Sequence, residues 1–249
     1  MMVSQKNSQD TAKQGLTIAV AGNPNAGKST LINAIAGSRL YVGNWPGVTV
    51  EKKSASFDYG GREISLVDLP GAYSLSPYTQ EEVIARDYLV KERPDVIINV
   101  VDATNLERNL YFTLQLLELG IPMVIALNMA DEAAQKGFRI DADKIASILG
   151  CAVVPTVATK KEGLEHLMET AVSFAVEPGE HTPGFISYGE DIEQALLPIA
   201  DALKNHSEVL AGRLPLRWFA LKVLERDERV LDDYAVDADA PQIEKAVKH

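Results

Sequence analysis

Short apolar runs alternate along the chain with stretches whose apolar residues recur every three or four positions. Leu16-Thr17-Ile18-Ala19-Val20-Ala21 reads as a buried strand, and Thr30-Leu31-Ile32-Asn33-Ala34-Ile35-Ala36 as an amphipathic helix. The stretch 37–50 carries Gly43, Pro46 and Gly47, which interrupt regular structure, so it reads as a loop. Lys52–Tyr59 and Arg62–Val67 are strand-like and meet at Gly60-Gly61, a hairpin signal. Ala72–Gln80 reads as a loop and Glu81–Lys91 as a helix. Asp95–Asp102 is almost wholly apolar, as a central parallel strand requires. Leu106–Leu119 follows as a helix, with Leu110, Thr113, Leu114 and Leu117 on one face. Ile121–Leu127 is a further strand, Asp143–Leu149 a helix, Ala152–Pro155 a short strand and Gly163–Phe174 a helix. Strands that alternate with helices predict an α/β fold with a doubly wound, mostly parallel sheet. Its ligand should lie at the carboxyl ends of the strands.

Around 177–184 the composition shifts to linker residues, and no strand pattern follows. Ile192, Leu196, Ile199 and Leu203 keep helical spacing. Leu214, Trp218, Leu221 and Leu224 form a second stripe, and a short third helix is expected from Pro241. So few helices bury little alone, so a small helical domain packed on the first is expected, with Trp218 in its core. The expected division is a disordered tail over 1–14, an α/β domain over 15–176 and a helical domain over 177–249.

Composition narrows the function. The 249 residues carry a formal net charge of −11, which argues against broad nucleic-acid binding. The single cysteine, Cys151, leaves no disulfide within the chain and suits a reducing compartment. No apolar run reaches the ~18 residues of a membrane span, and Met1–Gln14 is polar and mixed, unlike a secretory signal. The expectation is a soluble cytoplasmic protein or the soluble part of a larger one.

The chemistry is concentrated in Gly22-Asn23-Pro24-Asn25-Ala26-Gly27-Lys28-Ser29, with Thr30 opening the helix behind it. Strand, G-x-x-x-x-G-K-[ST], helix is the phosphate-cradling P-loop in its required context. The glycines admit torsions that point successive N–H groups at phosphate oxygens, and the helix dipole faces the same anion. Lys28 is placed for the β- and γ-phosphates and the Ser29 hydroxyl for Mg²⁺. Asp68-Leu69-Pro70-Gly71 ends a strand about 40 residues later, where a P-loop enzyme keeps its second magnesium-organising acid. The Gly71 N–H would meet the γ-phosphate. Two readings of Trp45 are open: a ring packed on the neighbouring surface, or part of a switch loop whose Thr49 reaches Mg²⁺ and releases it after hydrolysis. Glu81, Glu82 and Asp87 likewise read as dipole-compensating surface acids or as a weak divalent-metal site.

Base choice falls to Asn128-Met129-Ala130-Asp131. Guanine offers N1–H and N2–H side by side, and Asp131 can accept both while Asn128 holds the base edge and the loop. Met129 stands where GTPases of this layout carry Lys, which implies weaker binding, although Met still packs on a purine. Val157, Ala158 and Thr159 stand where a Ser-Ala-Lys-like loop would offer a backbone N–H to guanine O6, with Val157 at the Ser position.

These strings resemble the amino-terminal GTPase of the FeoB family of bacterial ferrous-iron transporters. So do Val42-Gly43-Asn44-Trp45-Pro46-Gly47-Val48-Thr49-Val50-Glu51, Asn99-Val100-Val101-Asp102-Ala103-Thr104-Asn105-Leu106-Glu107-Arg108-Asn109-Leu110 and Leu214-Pro215-Leu216-Arg217-Trp218. The resemblance runs from about Gly15 to about Glu244. It implies a GTP/GDP-binding, GTP-hydrolysing domain at the cytoplasmic face of the bacterial inner membrane. It also implies a helical domain likened to guanine-dissociation inhibitors, and a membrane domain of the same protein as partner. A homo-oligomer is open; nucleic acid is not expected.

The hydrolytic machinery lacks two familiar parts. Ala72 follows Gly71 where regulatory GTPases place the water-orienting Gln, and no arginine stands out as an internal finger. Similarity to potassium-activated GTPases implies K⁺ in the finger's place, held by Asn25 and backbone carbonyls from Gly43–Trp45. The alternative for Asn25 is a turn residue bracing the loop. Two rival functions remain: a potassium-dependent GTPase of RNA or ribosome maturation, against which the acidic chain and helical tail weigh, and a nucleotide-gated binding module with negligible turnover, which the missing Gln favours.

Overall fold

The computed structural model describes residues 15–76, 79–177, 186–210, 212 and 214–236. The expected tail over 1–14, most of the linker around 177–184 and the short helix from Pro241 lie outside the described residues. The elements in chain order are β1 (Leu16–Gly22), α1 (Lys28–Ala36), β2 (Leu40–Asn44), β3 (Glu51–Tyr59) and β4 (Arg62–Asp68). Then come α2 (Gln80–Lys91), β5 (Val96–Asp102), α3 (Leu106–Glu118), β6 (Met123–Asn128), α4 (Ala130–Gln135), α5 (Ala142–Leu149) and β7 (Ala152–Pro155). The remainder is helical: α6 (Leu164–Val176), α7 (Glu190–Leu203), α8 (Ser207–Leu210), α9 (Leu216–Leu224) and α10 (Glu228–Asp233).

The strands form one seven-stranded sheet in the order β2-β3-β4-β1-β5-β6-β7. β1 lies parallel between β4 and β5, and β6 and β7 extend the parallel part; β2 and β3 run antiparallel at the other edge. The fold is the expected α/β class, a mostly parallel sheet with helices and a small helical part. Side chains on β1 alternate between the two faces, as the pleat requires. Ile18 and Val20 join one core with Leu31, Ile98, Val100 and Leu167; Ala19 and Ala21 join the other with Ile97, Leu89, Phe112 and Leu116. Each fully buried Val, Leu or Ile contributes about 1.5–3 kcal/mol.

One expected loop is a strand. Leu40–Asn44 pairs antiparallel with β3, Gly43 opposite Lys52. Leu40, Tyr41 and Val42 are strand formers, and an edge strand tolerates a glycine that would weaken a central one. The remaining loop shrinks to the hairpin end 45–50, closed by Trp45 N–H to the Val50 carbonyl at 2.9 Å and Val48 N–H to the Trp45 carbonyl at 3.3 Å. Trp45 is buried, edge-on to Tyr88 of α2 at 5.4 Å and 73°, with Lys52 Nζ 4.7 Å from its ring centre. The packing reading of Trp45 therefore holds in this conformation. The short helices α4, α8 and α10 are additions to the expected set, each too short for periodicity to register.

The helical part shares the second core. Trp218, Phe219, Leu196 and Ile199 cluster with Leu89 and Leu116. Ion pairs join the same surfaces: buried Arg86 of α2 reaches Asp227 at 3.6 Å and Asp233 at 3.5 Å, and Arg217 reaches Glu118 of α3 at 3.5 Å. Lys222 Nζ donates to Ser76 Oγ at 3.3 Å. Trp218 is 1 % exposed and its indole N–H is buried without an acceptor, so its contribution is packing. Trp218→Ala should cost about 3–5 kcal/mol, read as a lower denaturation midpoint at unchanged slope. A loss below about 1 kcal/mol would mean that α9 does not share the core.

Candidate functional site

The carboxyl edge of the sheet gathers the three expected motifs. β1 ends at Gly22, β4 at Asp68 and β6 at Asn128, and the registers Val20↔Asp68, Gly22↔Val100 and Asp102↔Asn128 bring these ends to one side. A Cβ on Gly22 (φ 148°) would sit 2.4 Å from the Val100 carbonyl oxygen, and one on Gly27 (φ 92°) 2.3 Å from Asn128 Nδ2. Both positions demand glycine by torsion and by space. Gly27 then leads into the first turn of α1, whose Ser29 and Thr30 are exposed.

Lys28 is buried and folded back on its own loop, donating to the Gly22 carbonyl at 3.1 Å and the Asn23 carbonyl at 3.3 Å. Burial pushes its ammonium below the ordinary lysine range, and nearby Asp68 pulls it partly back. Burial raises the Asp68 carboxyl to about 6 even though Lys28 and Lys53 favour its ionised form. Asp68 Oδ1 and both polar atoms of the Asn23 side chain are buried without partners. Unsatisfied polar atoms at this density mark a place built for something polar or charged. Gly71 closes the same space, since a Cβ there would lie 3.1 Å from Lys28 Nζ and 3.2 Å from the Pro24 ring. Ala26 is buried behind the loop. Asn25 is exposed at φ 67°, the left-handed region that Asn tolerates better than most residues.

The residues expected at the base converge as well. A small cleft is lined by Gly27, Thr30, Asn128, Met129, Asp131, Val157, Ala158 and Thr159, with Glu132 added. Asn128 braces two segments: Nδ2 donates to the Ala26 carbonyl at 3.1 Å, and Oδ1 accepts from the Ala158 N–H at 3.1 Å and the Thr156 hydroxyl at 3.4 Å. Met129, at φ 60°, turns the chain into α4, whose first turn carries Asp131. Asp131 Oδ2 accepts from Lys160 Nζ at 2.7 Å and Oδ1 from the Glu132 N–H at 3.0 Å. The Lys160 bond holds the carboxyl below its usual range. Val157 is buried and exchanges backbone bonds with Glu162 at 3.1 and 3.2 Å, so its segment is tied down without the Ser.

Other expected members stand apart from this cluster. Thr49 is exposed on the hairpin end. Gly43 lies within β2, and the Trp45 carbonyl accepts from Val48. Among the described residues no three His, Cys, Asp or Glu side chains gather into a metal-ligating group, so the weak metal site at Glu81, Glu82 and Asp87 is not formed. Glu82 is not a surface acid either. It is buried in a capping box with Thr79 and accepts from the Tyr73 N–H at 3.3 Å. Thr79-x-x-Glu82 was the readable signal. Asp87 pairs with Arg86 and Lys91. Arg108, passed over in the sequence, lies with its guanidinium 4.4 Å from the centre of the Tyr73 ring.

A family model described as ferrous iron transport protein B matches residues 16–171, and one described as the FeoB cytosolic helical domain matches 188–249. The chain is 45 % identical over 221 residues to the Fe(2+) transporter FeoB of Escherichia coli K12, covering 85 % of this chain and 27 % of that protein. It is also 45 % identical over 219 residues to a Porphyromonas gingivalis Fe(2+) transport protein A/FeoB fusion, covering 86 % and 26 %. It thus spans about a quarter of the length of the curated relatives it matches. Among solved structures, a mutant S. thermophilus NFeoB bound to GDP superposes with a TM-score of 0.82 at 42 % identity, covering 94 % of this chain and 87 % of that one. The cytosolic domain of the T. maritima FeoB iron transporter in its GMPPNP form gives 0.82 at 37 %, covering 93 % and 91 %. No helix among the described residues is long and apolar enough to cross a membrane.

Proposed function

The chain belongs to the ferrous iron transport protein B family, and from that premise we propose that it is the GTP-binding and GTP-hydrolysing part of a FeoB-type Fe(2+) transporter. The observation that carries the reading is the convergence of the P-loop, Asp68 and Asn128–Asp131 at one sheet edge around buried, unpartnered polar atoms. Gly22–Thr30 cradle the phosphates. Lys28 leaves the Gly22 and Asn23 carbonyls for the β- and γ-phosphates, and the Gly71 N–H meets the γ-phosphate. Asp131 accepts from the guanine N1–H and N2–H, beside Met129 and the 157–159 segment. The proposed division is an α/β domain over 15–176 and a helical domain over 177–249.

Mg²⁺ fits the residues present: the exposed Ser29 hydroxyl and the orphaned Asp68 Oδ1, the latter through water, with Thr49 joining when the hairpin end swings in. When bound, Mg²⁺ neutralises phosphate charge. K⁺ fits in part. Asn25 is open to it, whereas Gly43 and Trp45 sit in a paired hairpin whose end must open first. When bound, K⁺ offsets charge developing between the phosphates. The partners proposed are guanine nucleotide, the membrane domain of the longer protein and, in assemblies, a second copy; the place is the cytoplasmic face of the inner membrane.

The binding-module reading keeps one observation in its favour, a buried Ala72 where a Gln would orient water. Turnover decides between them. The chain should release phosphate from GTP and not from ATP in Mg²⁺ and KCl. In a Trp218→Phe background, the emission of Trp45 should differ between a GTP analogue and GDP, because the hairpin end must leave Tyr88 to bring Thr49 in. Absent turnover would replace the enzyme reading by the binding module; identical spectra would remove the switch from this loop.

A further inference from the structure

The segment after Gly71 hangs from three elements. The Ala72 N–H donates to the Gly22 carbonyl at 3.4 Å, the Tyr73 N–H to Glu82 of α2 at 3.3 Å, and the Leu75 N–H and Ser74 hydroxyl to Gln115 of α3 at 2.6 and 3.1 Å. The Tyr73 side chain is half-open to water, and the Arg108 guanidinium lies over its ring at 4.4 Å. Arg108 and Gln115 are seven residues apart, close to two turns, so one face of α3 holds the segment at Tyr73 and at Ser74-Leu75.

The start of α3 is built to present that arginine. Asp102 accepts from the Thr104 N–H and from Asn105 Nδ2, both at 2.7 Å. Buried Asn109 accepts from the Asp102 N–H at 3.3 Å and donates to the Asn105 carbonyl at 2.9 Å. Asp102, Thr104, Asn105 and Asn109 are thus engaged in fixing the turn, and Arg108 lies against the segment behind the D-x-x-G motif. A guanidinium over a tyrosine face is attracted by the ring quadrupole while its donors stay in water.

We propose that Arg108 is a positioning residue for hydrolysis: stacked on Tyr73, it holds the 71–76 segment so that the Gly71 amide keeps its place at the γ-phosphate. It acts through the ring and does not itself touch the phosphates, which separates it from an arginine finger. The proposal rests on the GTPase reading above, and its test carries a readout independent of turnover.

That test is single-turnover GTP hydrolysis in KCl and Mg²⁺ for the parent, Arg108→Ala, Tyr73→Ala, Tyr73→Phe and the double alanine variant. GTP affinity is measured alongside, as is amide hydrogen exchange over 71–76 with GDP bound. Arg108→Ala and Tyr73→Ala should each slow hydrolysis about 2- to 5-fold, the factor that an exposed cation–π contact supports. Affinity should hold, exchange over 71–76 should rise by a similar factor, and Tyr73→Phe should match the parent. The double variant should be no slower than either single one, because both remove the same contact. Parent-like hydrolysis and exchange in Arg108→Ala would overturn the proposal. So would losses that multiply in the double variant, or a loss in Arg108→Ala that Tyr73→Ala does not share. If the parent itself does not hydrolyse GTP, the enzyme reading falls, and unchanged exchange in Arg108→Ala would still refute the tether.

Discussion

Asp131→Asn is expected to move the site's preference from guanine to xanthine. The carboxylate is held ionised by Lys160 Nζ at 2.7 Å and by the Glu132 N–H, so it can only accept, and guanine offers two adjacent donors. Hydrogen bonds to a charged group are worth about 1.5–3 kcal/mol each. Losing this pairing should weaken GTP binding at least ~10²-fold. Xanthine carries a carbonyl where guanine has its amine; Asp131 repels it and an Asn amide donates to it. Competition of GTP and XTP against a fluorescent GDP analogue reads the exchange directly. The cleft should stay intact, since Asn128, not Asp131, braces the P-loop and the 156–158 segment. A variant that binds GTP as tightly as the parent would show that Asp131 is not the reader.

What could be read from the sequence was local. The β1–P-loop–α1 unit declares itself because strand period, glycine positions and helix period are contiguous. The Asn128-x-x-Asp131 spacing lies within a single strand-to-helix turn. The central strand β5 was legible from its apolar run, broken only by Asn99, and only a doubly covered strand needs such a run. What was missed depends on partners far away in the chain. Whether Leu40–Asn44 is a strand is settled by β3, not by its own Gly43. Packing of Trp45 was one of two open readings, and the face that Tyr88 offers it decides between them. Arg86 and Lys222 are ordinary surface cations in sequence, yet fold against Asp227, Asp233 and Ser76 across the two parts of the molecule. Arg108 was hidden for the same reason, since Tyr73 lies on a loop that no periodicity describes. Glu82 is the exception: its capping box with Thr79 was written in the sequence, and only its charge was read.

The same distinction bears on hydrolysis, where the sequence shows what is lacking and the structure shows what stands nearby. Ala72 is buried with its N–H on the Gly22 carbonyl, so no side chain there can orient water. Arg108 is engaged with Tyr73 rather than aimed at the P-loop. Charge compensation beyond Lys28 is therefore proposed to come from a bound monovalent cation. The exposed Asn25 and the carbonyls of Gly43–Trp45 are the oxygen ligands proposed for it. GTP turnover is expected to rise when NaCl is replaced by KCl at equal ionic strength, by as much as ~10³-fold, the lower end of what an arginine finger supplies. Na⁺ is smaller and would draw those ligands out of place. Asn25→Ala should abolish the response, but φ 67° makes it a strained test, because alanine pays for the left-handed backbone that asparagine accepts. Asn25→Gly removes the oxygen without that strain and is the cleaner variant. Both should keep nucleotide affinity close to the parent's, since Lys28, Ser29 and the loop amides remain. Equal parent rates in the two salts would end the potassium reading, and a full response in Asn25→Gly would put the ion somewhere other than beside Asn25.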